Sequence, residues 1–105
     1  MAESFKALGT AVLNPADTQC YLVPAATQVI VRFMVVTCTA DAQHVSFSAF
    51  STVLGTVPFL GGFDLNNGEW AEWDGSLTLL AGGTILGKAT TAGKVTAALF
   101  GLEIS

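Results

Sequence analysis

Between Gln28 and Thr37 apolar residues occupy almost every position. The odd positions are Val29, Val31, Phe33 and Val35. The even positions hold Ile30, Arg32, Met34 and Val36. Successive strand residues point to opposite sides, so this segment reads as a strand with one fully apolar face and one mostly apolar face. Such a strand is covered on both sides. A stricter alternation follows in Gln43–Phe50, with Val45, Phe47 and Ala49 on one face and His44, Ser46 and Ser48 on the other. That is the pattern of a half-buried strand.

Turn-forming residues recur at short intervals: Asn14-Pro15, Pro24-Ala25, Asp41-Ala42, Gly61-Gly62, Asn66-Asn67-Gly68, Asp74-Gly75, Gly82-Gly83 and Gly93. The segments between them predict strands at 4–13, 18–23, 28–38, 43–50, 57–60, 69–73, 76–80, 84–90 and 94–104. Residues 2–8 have a helical turn as an alternative, and 1–17 could be an N-terminal arm or a first strand. The expectation is one all-β domain over 1–105, an antiparallel β-sandwich of jelly-roll-like form.

Composition adds a constraint. The chain has 105 residues, of which 51% are hydrophobic and only 11% charged. Ordinary domains carry about a quarter charged residues, so part of this small domain's surface must be apolar. Apolar surface of that kind marks contact with other protein chains. On this reading the outward face of segment 28–38, with Ile30, Met34 and Val36, is the candidate interface. Replacing Met34 with Asp would then break assembly and spare the fold.

The charge also excludes partners. The net charge is −4, and the four basic residues, Lys6, Arg32, Lys88 and Lys94, form no run. Nucleic acid and anionic membranes are disfavoured, since both are held by clustered Lys and Arg. No stretch reaches the ~20 apolar residues that span a bilayer. The N-terminus shows no signal-peptide pattern, which points to synthesis in a cytoplasm.

No chemistry-bearing constellation survives inspection. His44 is the sole histidine, and its parity places it on a polar face as a surface residue. Glu69, Glu72 and Asp74 lie beside Trp70 and Trp73, which raises a sugar-binding platform. Residues three apart on a strand face opposite ways, so one tryptophan is read as core and the other as edge or interface. Asp64-Leu65-Asn66-Asn67-Gly68 fails as an EF-hand loop, because position six is Glu69 and position twelve is Gly75. No catalytic residue, metal or cofactor is expected, and the chain is not read as an enzyme.

The two thiols, Cys20 and Cys38, fit no zinc or redox spacing; they could form one disulfide, but a cytoplasmic origin favours buried free thiols. A hairpin joining 18–23 to 28–38 would pair Val23 with Gln28 and set Cys20 opposite Val31. Cys38, of even parity, would point to the other face, near the surface, and could cross-link subunits.

The order of short motifs resembles a group of small virion proteins of tailed bacteriophages. The segments are Phe5-Lys6-Ala7-Leu8-Gly9-Thr10, Tyr21-Leu22-Val23-Pro24-Ala25-Ala26-Thr27, Trp73-Asp74-Gly75-Ser76-Leu77-Thr78-Leu79, Ala81-Gly82-Gly83-Thr84-Ile85 and the closing Gly101-Leu102-Glu103-Ile104. The resemblance implies a virion β-sandwich on the capsid surface, a decoration or cement protein. The alternatives are a tail, neck or fibre component and a carbohydrate-binding module. Expected partners are other copies of itself, as a trimer, and the major capsid protein or another virion protein.

Overall fold

A computed structural model describes residues 3–51 and 55–104. Its strands are β1 (Glu3–Val12), β2 (Thr18–Leu22), β3 (Gln28–Cys38), β4 (Gln43–Ser51), β5 (Gly55–Leu65), β6 (Trp70–Leu79), β7 (Thr84–Lys88) and β8 (Val95–Ile104). They form two antiparallel four-stranded sheets. Sheet I has the order β1-β8-β3-β6 and sheet II the order β2-β7-β4-β5. Pairing is nested: β1 with β8, β2 with β7, β3 with β6 and β4 with β5. That winding is the jelly-roll plan, so the chain is an all-β sandwich in a single domain.

The core lies between the sheets. Val29, Val31, Met34 and Val36 of β3 meet Val45 and Phe47 of β4, with Ile85 and Leu99, all at most 2% exposed. β8 crosses the middle of sheet I, and its inward residues alternate Val95, Ala97, Leu99 and Gly101. Gly101 is where two strands come closest. A Cβ there would run into the backbone of Ile30 and Val31, so only glycine allows β8 to sit flush against β3.

Three local expectations are corrected. First, β2 and β3 are not a hairpin. β2 pairs with β7 in sheet II while β3 lies in sheet I. Pro24–Thr27 therefore carries the chain from one sheet to the other. Second, eight strands replace nine, because Asp74-Gly75, read as a turn, lies inside one strand and joins two expected ones, while Gly61-Gly62 lies inside another and lengthens it. Gly61-Gly62 falls within β5 and Asp74-Gly75 within β6. Gly62 has φ 141°, and its missing Cβ makes room for the His44 ring, which would lie 2.8 Å away. This is a bulge that bends an edge strand rather than reversing it. Third, residues 3–8 belong to β1, not to a helical turn.

The fourth correction bears on function. The register of β3 against β8 runs Val31↔Gly101 and then Phe33↔Phe100, so Arg32 is an extra residue in β3. The bulge reverses the parity of everything after it. Val29 and Val31 point inward, but so do Met34, Val36 and Cys38. The outward face is Ile30, Phe33 and Val35. Met34 is 0% and Val36 1% exposed, so these two are core residues and not an interface. Met34→Asp would bury a carboxylate inside the fold.

Candidate functional site

The outer surface of sheet I is the molecule's most coherent apolar feature. Cross-strand partners share a face, so the register defines its rows. One row is Phe5–Leu102–Ile30, with Thr78 at the end. The next is Ala7–Phe100–Phe33, with Asp74. The third is Thr10–Ala98–Val35, with Glu72. The aliphatic and aromatic members on β3 and β8 are only half-buried, by one another. Phe33 and Phe100 lie with ring centroids 6.1 Å apart at 45°, and Phe5 is 64% exposed. The described charged residues of this face are Glu72 and Asp74 on the edge strand β6 and the bulged Arg32 of β3, whose Nε donates to the Gly75 carbonyl at 3.0 Å. Ile30 is the one member of the expected trio that reaches this surface.

The tryptophans separate. Trp70 is 65% exposed at the end of β6. Trp73 turns inward and meets Phe59 of β5 edge-on, centroids 5.4 Å apart. That contact bridges the open side of the sandwich, where β5 and β6 face each other. Apolar recesses of about 210 and 180 Å³ flank it. The opposite side, between β1 and β2, is closed by polar contacts. Lys6 Nζ donates to Glu103 Oε1 at 2.9 Å, and Tyr21 Oη donates to Glu103 Oε2 at 3.3 Å. The Lys6 bond holds the Glu103 carboxyl below its usual range, against some desolvation. Burial first, and Glu103 second, raise the Tyr21 phenol.

Both thiols are inside. Cys20 is 6% and Cys38 3% exposed, and they are free. Burial pushes the Cys20 thiol up to about 11, so it stays protonated and unreactive at neutral pH. Cys38 Sγ donates to the Ala40 carbonyl at 3.0 Å. The expected surface position of Cys38, and its cross-link between subunits, are therefore corrected. The Arg32 bulge is the cause, since it returns even positions to the core.

The outer face of sheet II is of another kind. It carries His44, Ser46, Ser48, Thr56, Asp64 and Lys88, with Phe50 and Leu86 among them. His44 Nδ1 and Asp64 Oδ1 are 2.7 Å apart across the β4–β5 ladder, and both side chains are largely exposed. The Asn66-Asn67-Gly68 segment is a turn locked to the preceding loop. Asp41 Oδ1 accepts from Asn67 N, Asn66 Oδ1 accepts from Ala42 N, and Glu69 Oε1 accepts from Asn66 N.

No family model matches the chain, and no curated protein matches it. Among solved structures the fold is similar to that of a subunit of Bacillus endospore appendages, described as a novel family of disulfide-linked pili. The TM-score is 0.60 at 12% identity, covering 99% of this chain and 87% of that one. At that identity the likeness is one of fold. It overturns the capsid-decoration expectation, because the architecture matched along the whole chain is that of a bacterial appendage subunit and not of a capsid protein.

Strand periodicity puts Ile30, Met34 and Val36 on the outer side of β3, whereas Met34 and Val36 lie in the core; it does not single out the outward Phe33, Val35, Phe100 and Leu102. The signal for the last two was present in Thr96–Ile104, where Ala98, Phe100, Leu102 and Ile104 alternate with a second apolar set.

Proposed function

We propose that this chain is a structural building block that self-associates into a larger bacterial assembly of appendage type, with no catalytic role. The observation that carries the proposal is the apolar outer face of sheet I. A chain with 11% charged residues concentrates partly exposed Phe, Ile, Leu and Val on one sheet surface, and contiguous apolar surface of this kind marks a contact with other protein. The fold likeness to an appendage subunit supports the same reading. The assembly is non-covalent within the described residues, because both thiols lie in the core.

Sedimentation velocity over a range of concentrations tests the proposal. The expected result is concentration-dependent association, with only monomer on a non-reducing denaturing gel. A chain that stays monomeric up to millimolar concentration overturns it. A covalent ladder on the gel overturns the non-covalent part.

A further inference from the structure

Four strands are sheet edges, and each is blunted. β1, β2, β5 and β6 all carry a register shift against their neighbours. β2 has only five residues. β5 contains Pro58, which offers no N–H to a ladder. β1 carries the inward-turned Lys6, held by Glu103 of the neighbouring strand β8. Bulges, prolines and inward charges are the devices by which sheet edges avoid adding a strand. Edge-to-edge addition of a second copy is therefore disfavoured.

A face remains available, and its size is adequate. Four strands spaced about 4.8 Å apart, over rows of ten residues rising about 3.4 Å each, give a surface of roughly 650 Å² before side-chain relief. A stable interface buries about 800 Å² per partner. Most of this surface is apolar, and its described charges are Arg32 on β3 and Glu72 and Asp74 on the β6 edge.

Resting on the reading of the chain as a self-associating subunit, we propose that a second copy packs face to face on the outer surface of sheet I, about a two-fold axis running along the strands between β8 and β3. The charge pattern sets the axis. A two-fold across the strands would lay β6 on its own copy and oppose Glu72 and Asp74 to themselves. A two-fold along the strands lays β6 over β1, so Glu72 meets Thr10 and Asp74 meets Ala7 of the second copy. It also sets Phe33 of one copy over Phe100 of the other, across the ~10 Å that separates packed sheets. The pair closes on itself, and larger assemblies are built from it through other surfaces.

Equilibrium sedimentation of the full chain and three variants tests this. Phe100→Ser is expected to weaken the pair at least ~30-fold, as removal of a central aromatic does. Thr10→Lys, an exposed change that places a cation opposite Glu72, is expected to tighten it ~3-fold at low salt, with the gain lost in 1 M salt. Ala98→Cys, the sole reactive thiol beside two buried ones, is expected to give a dimer with a short bis-maleimide, while Thr56→Cys on sheet II gives none. A folded Phe100→Ser with unchanged association overturns the face. Thr10→Lys weakening the pair overturns the axis, and this variant stands even if Phe100→Ser fails to fold. Association of the parent chain without Ala98→Cys cross-linking overturns the pairing alone. A parent chain that never associates overturns the proposed function itself.

Discussion

The two outward surfaces of this sandwich share one architecture and differ in chemistry. Both are four-stranded antiparallel faces, and two strands of sheet II have only five residues each. On sheet I the central strands β3 and β8 present Ile30, Phe33, Val35, Ala98, Phe100 and Leu102. On sheet II the central strands present His44, Ser46, Ser48 and Lys88, with Phe50 and Leu86 as the apolar exceptions. A strand covered on one side alternates apolar with polar, and a strand covered on both sides does not. β4 obeys the first rule and β3 and β8 the second. The difference teaches that the chain's outward apolar side chains are not spread evenly. They gather on the central strands of one sheet, where a neighbour can cover them.

The largest effect tests which side of β3 is which. Met34→Asp places a carboxylate among 0–2% exposed side chains, and the variant is expected to lose at least ~4 kcal/mol and to be unfolded by circular dichroism. A folded, non-associating Met34→Asp would return Met34 to the outer face. Gly101→Ala comes next. Its Cβ meets the Ile30 backbone, so urea unfolding should show a loss of about 2–4 kcal/mol in the monomer, because the seam beneath the apolar face opens.

Removing Arg32 sharpens the comparison most directly. Without it, strict alternation from Gln28 to Cys38 reproduces the observed inner and outer sets. The deletion is expected to cost only about 1–2 kcal/mol, from the lost bond to Gly75 and a reshaped β6, and to leave both faces and self-association intact. Collapse of the fold would show that the bulge is needed for more than parity.

Lys6→Ala probes the closed side. The Lys6 bond depresses the Glu103 carboxyl in the folded chain. A depressed folded value means the contribution is present above the ordinary carboxylate range and fades as pH falls through the folded value. Between pH 6 and 3 the variant should therefore lose less stability than the parent, measured by urea midpoints. A parallel pH profile would deny the linkage. The smallest change is Thr56→Asp, on the outer face of sheet II. Stability should move by no more than ~0.5 kcal/mol, and sedimentation should be unaltered. Loss of association there would erase the distinction between the two faces.

Much of the fold was legible. Val45-Ser46-Phe47-Ser48-Ala49 spells a half-buried strand without ambiguity, and closely spaced turns spell a sandwich. The errors have one physical origin. Glycine-containing pairs and an Arg inside an apolar run look the same in sequence whether they reverse a strand or bulge it. At Gly61-Gly62 and Asp74-Gly75 they bulge, and two predicted turns vanish into β5 and β6. At Arg32 a single extra residue inverted the inner and outer assignment of Met34, Val36 and Cys38. Of the three residues expected on the outer side of β3, only Ile30 is there, and Met34 and Val36 are in the core.

The alternation and turn spacing by themselves determined an all-β sandwich, a polar outer side for β4 and a chain short of charge. These are properties of local period and composition, and they need no partner strand to be read. Which strands pair, where the register slips and therefore which apolar residues remain outside were decided only when β3 was laid against β8 and β6. A bulge is defined by two strands together, because the residue left over in one can be counted only against the other.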